Sequence, residues 1–128
     1  MSVQEIESLA RNFCDSFNRM DIKAALDLFS DDVEIFDTVP YRIDGKKQFS
    51  DFLDGALQGI ASMNLGFHQL SCRMIGDDVG VANAYDSFSG TGKDGNVQTA
   101  HGRTTLVCAK QAGQWKIVSA HFSALPKG

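Results

Sequence analysis

The sequence predicts an α+β fold in which a curved antiparallel sheet packs one face against N-terminal helices. Apolar residues recur at helical spacing through most of the N-terminal half. Alternating, β-favouring residues fill the C-terminal half. Helices followed by a meander of long strands are typical of α+β domains. At 128 residues the chain has the length of one domain, so we expect residues 1–128 to form a single unit.

Three amphipathic helices are expected before the main strands. The first ends at about Met20, and Asp21 is placed to cap a second, short helix. The segment from Asp37 to Gly45 has the composition of a loop. The expected order is helix one to about residue 20, helix two to about 30, a strand over 33–36, the loop over 37–45 and helix three over 46–59.

The strands that follow are separated by recognisable turns. Alternation predicts strands over 67–75 and 79–88, and a last pair of strands within 102–123. Asp94-Gly95 favours a two-residue hairpin turn with Lys93 opposite Asn96. Counting back from that turn puts Arg103 opposite Asp86 on the neighbouring strand.

The last hairpin fixes which side chains meet at the end of the chain. We expect a three-residue loop over 111–113, with Gly113 in the left-handed conformation. Lys110 then faces Gln114, and counting outward places Arg103 opposite His121. A two-residue or four-residue loop would shift this register by one residue.

Composition and charge exclude several classes of protein. With 43% apolar and 22% charged residues, the chain matches a globular protein and not a disordered one. Its net charge of −4, with Lys and Arg scattered along the chain, argues against a nucleic-acid partner. No apolar stretch has membrane-spanning length and the N-terminus lacks an apolar signal core, so we expect a cytoplasmic protein without a membrane partner.

Two segments resemble a known family. The run Asp-Asp-Val-Glu-Ile-Phe-Asp over 31–37 and the ending Gly-Gln-Trp-Lys-Ile-Val-Ser-Ala-His-Phe-Ser over 113–123 are similar to the nuclear transport factor 2-like superfamily, in its SnoaL-like and ketosteroid isomerase-like branch. The resemblance covers essentially the whole chain. It implies a cone-shaped sheet wrapped around three helices, a cavity between them, and commonly a homodimer through the outer sheet face.

The resemblance also implies site residues. Ketosteroid isomerases carry a general-base Asp just after the first strand, and Asp37 matches that position. Their oxyanion-donating Tyr on helix one is Phe13 here, and their second acid falls at about Thr105. Arg103 resembles the Arg of limonene epoxide hydrolase-like members, whose acid partner also falls at Thr105. Scytalone dehydratase-like members use His and Asp, which His121 and Asp37 could supply together with His68.

Both faces of the predicted sheet are substantially apolar, so one should cover the core and the other should meet a partner. We assign the face of Arg103 and His121 to the cavity. The opposite face, which carries Leu106 and Phe122, is assigned to a homodimer interface.

The functional hypothesis is that the protein binds a small apolar molecule in a pocket. It would act on a carbonyl-bearing substrate by acid–base chemistry, as a cofactor-independent isomerase, cyclase or dehydratase does. Asp37 or His121 would transfer the proton and Arg103 would stabilise the anion. No metal or cofactor is expected, since the histidines lack ligand spacing. The expected ligand-binding side chains are Phe13, Phe17, Tyr41, Phe52, His68, Asp86, Thr105 and Ser119.

Simpler interpretations stand beside these roles. Asp37 could cap a turn, Arg103 could form only a cross-strand salt bridge with Asp86, and His121 could be satisfied by Thr105 or Ser119. Because each family's catalytic set is incomplete here, a non-catalytic homodimeric association or ligand-sensing module is the alternative function. The sequence specifies neither the substrate nor the reaction.

Overall fold

The computed structural model describes residues 2–126, in which three helices cover one face of a six-stranded curved sheet. The predicted α+β fold is confirmed. A short strand lies within the predicted loop, and the long strands begin or end several residues beyond their predicted limits. The elements are α1 Ser2–Asn18, α2 Ile22–Asp27, β1 Phe29–Phe36, β2 Arg42–Asp44, α3 Gly45–Ala56, β3 Ile60–Met74, β4 Val79–Gly92, β5 Val97–Gln111 and β6 Gln114–Ala124.

The helices form where the apolar spacing predicts them. α1 buries one stripe of side chains that includes Ile6, Phe13 and Phe17. Asp21 caps α2, since its carboxylate accepts a hydrogen bond from the Ala24 backbone N–H at 3.1 Å. No described helix combines the length and hydropathy that crossing a lipid bilayer requires.

The strand order is β2-β1-β6-β5-β4-β3, and neighbouring strands are antiparallel with one exception. β1 runs parallel to β6, with Phe36 opposite His121. Sequence reasoning did not include this parallel pair, which places β1 beside β6, one strand in from the β2 edge of the sheet. Asp37 directly follows β1, so the pairing with β6 positions it.

The turn between β5 and β6 differs from the prediction. Gln111 pairs with Gln114 around a two-residue turn, and both Ala112 (φ 49°) and Gly113 (φ 79°) are left-handed, as a type I′ turn requires. The expected three-residue loop is wrong because Ala112 also takes a positive φ, which is uncommon for alanine. A bulge further along β6 shifts the pairing again. Arg103 therefore faces Ser123, and His121 faces Thr105.

The turn between β4 and β5 is one residue longer than predicted. The Gly92 N–H donates to the Asn96 carbonyl at 2.8 Å, which leaves a three-residue loop over 93–95 with Gly95 at φ 86°. Asp94 stabilises the loop by accepting from the Asn96 N–H at 3.0 Å. The predicted pairing of Arg103 with Asp86 is therefore wrong. Arg103 lies opposite Tyr85, and Asp86 lies opposite Gly102.

The core lies on the sheet face that we had assigned to a partner. Leu106, Cys108 and Ala120 are almost fully buried there, and Phe122 stacks on Phe13 of α1. Arg103 and His121 do share a face, but it is the outer one. The assignment of faces was wrong because both faces alternate with apolar residues, and alternation alone does not show which face the helices cover.

Candidate functional site

A cavity of about 400 Å³ lies between α1, α3 and the inner face of β3 to β6. It is mainly apolar, and seven of the chain's nine phenylalanines line it. Such a size and character suit a small hydrophobic ligand. The lining residues are Phe13, Phe17, Phe49, Phe52, Phe67, Phe88 and Phe122; Leu53, Ala56, Leu57, Met63, Leu65, Ala100 and Ala124; and Asp37, Thr38, Asp86, His101, Thr104 and Ser123.

The aromatic wall is built around Phe13 of α1. Its ring stacks between those of Phe67 (centroids 5.5 Å apart, planes at 17°) and Phe122 (5.8 Å, 23°). Phe17 meets it edge-on at 4.9 Å. Packed rings of this kind hold one another in position. The helix-one position where ketosteroid isomerases carry a Tyr is therefore part of an apolar wall in this chain.

Asp37 lies on the cavity wall, at the end of β1. Burial is the main cause that raises the pKa of its carboxyl group, and the negative charge of Asp86 raises it further. The Thr38 backbone N–H donates to Asp37 Oδ1 at 2.7 Å and acts in the opposite direction. A carboxylate whose basicity is increased at an apolar cavity is suited to proton transfer. Its role as the base stays a prediction.

Asp86 is the second carboxylate in the cavity, on the inner face of β4. The Thr104 hydroxyl, in a side chain that is 3% exposed, donates to Asp86 Oδ2 at 2.6 Å. Gly102 lies opposite, and a Cβ there would stand 2.5 Å from the Ser123 carbonyl oxygen and 3.1 Å from Asp86 Oδ1. The absence of a side chain at Gly102 therefore leaves the space that the carboxylate of Asp86 occupies.

Five of the expected site residues line the cavity: Asp37, Asp86, Phe13, Phe17 and Phe52. The expected positions of Arg103 and His121 are wrong, because both lie on the outer face. Arg103 is exposed beside Tyr85 in a shallow surface depression. The ring of His121 is exposed and stacks on Phe36, with centroids 6.2 Å apart.

Four further expected ligand-binding residues lie outside the cavity. His68 bonds to the Ser87 hydroxyl at 2.7 Å on the outer face, and the Thr105 hydroxyl donates to Asn83 Oδ1 at 2.6 Å. Ser119 shares that face, and Tyr41 is 56% exposed near a separate depression. The reversal of the sheet faces explains the strand residues, while Tyr41 lies in the connection before β2.

Sequence reasoning missed two parts of the cavity. One is Thr104, whose place on the inner face could be deduced only once Leu106 was assigned to the core. The other is the first half of β3, where Met63, Leu65 and Phe67 face the cavity. Their alternation with Asn64 and Gly66 was a readable strand signal that would have extended β3 toward the N-terminus.

The polar groups of the cavity are acidic and unpaired with cations. Among residues 2–126, the lining includes no Lys or Arg, and neither Asp37 nor Asp86 forms an ion pair. Over the same residues, no three His, Cys, Asp or Glu side chains are grouped so that they could hold a metal ion. The side chains that offer chemistry to the described cavity are two carboxylates and two threonine hydroxyls. Ser123 and His101 border it, but their strand partners are Arg103 and Ser87, so their side chains belong to the outer face.

Several solved structures share this architecture. They include a nuclear transport factor 2-like superfamily protein from Salmonella enterica serovar Typhimurium (TM-score 0.85, 23% identity, covering 97% of this chain and 91% of that one). A ketosteroid isomerase-like protein from Erwinia carotovora atroseptica has a TM-score of 0.82 at 20% identity, covering 98% and 97%. A Novosphingobium aromaticivorans protein provisionally named scytalone dehydratase has a TM-score of 0.87 at 12% identity, covering 96% and 83%.

Sequence identities this low establish that these proteins share a fold with this chain, and they do not establish a shared function. No curated protein sequence matches the chain. The sequence profile of the SnoaL-like domain, however, matches residues 6–127. The chain therefore belongs to the SnoaL-like domain family, within the nuclear transport factor 2-like superfamily.

Proposed function

We propose that this protein is a cofactor-independent enzyme that binds a small, mainly apolar carbonyl compound in the cavity and moves a proton with Asp37. One observation carries the proposal. The carboxyl group of Asp37 lies on the wall of an apolar cavity, and burial raises its pKa. Isomerases and lyases that abstract a proton beside a carbonyl need a base of this kind.

The proposed step uses the two oxygens of Asp37 differently. Oδ1 accepts the Thr38 N–H, and Oδ2 would take the proton from the carbon beside the substrate carbonyl. As the C–H bond breaks, its electron pair moves to the carbonyl oxygen and an enolate forms. Returning the proton to another carbon completes an isomerisation.

The structural relatives support the general form of this proposal. One carries the name ketosteroid isomerase-like and another is provisionally named scytalone dehydratase, and both share the fold. Since their identities to this chain are low, the proposal does not take a substrate from either name.

The experiment that tests the proposal begins with the ligand. Mass spectrometry of the denatured protein should identify a co-purified apolar molecule, whose carbonyl analogues are then assayed for isomerisation or elimination. Asp37→Asn should abolish turnover while binding persists, whereas Asp32→Asn, which removes an exposed charge from β1, should leave turnover intact. Full turnover by Asp37→Asn would refute the proposed base.

We also propose a homodimer, now through the outer face of the sheet. Val79, at 36% exposure, and Tyr85, at 44%, are apolar side chains on that face. Sedimentation at micromolar concentration should show twice the monomer mass, and Tyr85→Lys should lower it to that of the monomer. A wild-type protein that sediments as a monomer would overturn this proposal without affecting the cavity.

A further inference from the structure

We propose that the cavity selects positively charged ligands. Such a ligand has an apolar body and a protonated nitrogen, and the carboxylate of Asp86 binds that nitrogen. The inference rests on the proposed function only in that both place a small molecule in this cavity. It adds the charge of that molecule, which the catalytic proposal does not specify.

The charge balance of the cavity favours a cation. Asp37 and Asp86 both line it, and no Lys or Arg from residues 2–126 does. The two carboxylates are close enough for the charge of Asp86 to disfavour ionisation of Asp37. A neutral ligand would leave these like charges uncompensated in an apolar space, and an anionic ligand would add a third. Of these three classes, only a cationic ligand lowers the electrostatic cost of keeping both carboxylates ionised.

Asp86 is held in place as a hydrogen-bond acceptor. Thr104 donates to one of its oxygens at 2.6 Å from a side chain that is almost fully buried. Gly102 leaves room for the carboxylate against β5. A carboxylate fixed in this way is prepared to bind a cation, because little side-chain freedom remains to be lost on binding.

The aromatic wall also favours a cationic ligand. Seven phenylalanine rings line the cavity, and the faces of aromatic rings attract cations while their edges and faces also pack well against an apolar body. The same wall would give an anionic ligand no favourable interaction with its ring faces. Apolar packing, ring faces and a fixed carboxylate together fit an arylalkyl ammonium ion.

The test compares three probes of nearly equal shape and different charge: naphthylmethylamine, naphthylmethanol and naphthoate. Isothermal titration calorimetry at neutral pH should show the amine binding about tenfold tighter than the alcohol, and the carboxylate weakest. Asp86→Asn should remove the preference for the amine while leaving the affinity for the alcohol within about twofold. Asp32→Asn, which changes the net charge equally from an exposed position, should retain the preference.

The outcomes separate the two proposals. If the alcohol binds as tightly as the amine in the wild-type protein, the charge preference is refuted and the apolar cavity of the proposed function stands. If the amine is preferred but Asp86→Asn retains that preference, Asp86 is not the group that holds it and the inference is wrong. If none of the probes binds, both the charge preference and the proposed small-molecule cavity fail. Thermal denaturation of each variant confirms that it is folded. The comparison of the three probes on the wild-type protein does not depend on any variant.

Discussion

The two faces of the sheet formed by β4, β5 and β6 use polar residues in opposite ways. At the cavity, the inner face carries the charged side chain of Asp86, and the structure supplies it with a buried donor, Thr104. The outer face carries Arg103 and His121, both exposed to solvent. A charge on the inner face must be compensated by the protein or by a ligand, whereas water compensates those on the outer face.

A single residue in a loop separates these two environments. With the three-residue loop over 93–95, Asp86 faces Gly102 and Tyr85 faces Arg103. A two-residue loop would have placed Asp86 and Arg103 on the same face as a neutral pair. The difference teaches that the acidic character of the cavity follows from the length of a turn that lies far from it.

The largest expected difference between the faces is in stability. Leu106→Ala removes a side chain that is 1% exposed and packed in the core, so it should lower the free energy of unfolding by about 3 kcal/mol. In the Tyr85→Lys monomer, where the outer face meets water, Arg103→Ala, three residues earlier, should change the free energy of unfolding by less than about 0.5 kcal/mol. Urea denaturation measures both. A loss at Arg103 equal to that at Leu106 would mean that the outer face is buried in the folded protein, as it would be in an obligate dimer.

A smaller loss is expected where the inner face needs a glycine. Gly102→Ala places a Cβ 2.5 Å from the Ser123 backbone oxygen, so the strands must separate, at a cost of about 2 kcal/mol. Gly55→Ala in α3 is the matched control, since its Cβ would meet no atom within 4 Å and alanine favours a helix. Thermal melts should therefore show opposite shifts for the two variants. Equal stability of Gly102→Ala and wild type would contradict the close approach of β5 and β6.

A pH-dependent difference is expected for Asp37. Burial raises the pKa of this carboxyl in the folded protein above its pKa in the unfolded chain. The folded protein therefore loses stability as the pH rises through the interval between these two pKa values. Asp37→Asn, which does not ionise and can still accept the Thr38 N–H, should melt above wild type at neutral pH. The gain should disappear well below the ordinary pKa of 3.8. A lower melting temperature for Asp37→Asn at neutral pH would show that the carboxylate is instead stabilised by its surroundings.

The smallest effect is expected for ligand binding after changes on the outer face. Arg103→Leu and His121→Gln should each alter the affinity for naphthylmethanol by less than about twofold, because solvent screens these groups and neither lines the cavity. Phe52→Ala, which removes part of the apolar wall, serves as the positive control in the same titration and should weaken binding. A strong loss of affinity with Arg103→Leu would restore the original sequence-based assignment of the faces.

The elements of the fold were readable because helices and strands have different apolar periods. The stripe of α1 and the alternation of β5 and β6 each identify one type of element. Turn lengths were not readable in the same way. Asp94-Gly95 suits both two-residue and three-residue loops, and nothing in the local sequence requires Ala112 to adopt a positive φ.

The site was partly predictable for the same physical reason. Asp37 and the phenylalanines of α1 depend only on their own element and on the family resemblance, and they line the cavity. The strand residues depend on which face of the sheet is buried, and alternating apolar residues on both faces left that choice undetermined. The prediction that Arg103 and His121 share a face was right. Only the choice of that face as the inner one was wrong.

The parallel pairing of β1 with β6 has a consequence for folding. Asp37 directly follows β1, yet that strand is held by β6, which comes about 80 residues later in the chain. Contacts between such distant segments form slowly, because the intervening chain must first be ordered. Until β6 has docked, β1 is held in the sheet by β2 alone, so the cavity acquires the full support of its proposed base only when the chain through β6 is present.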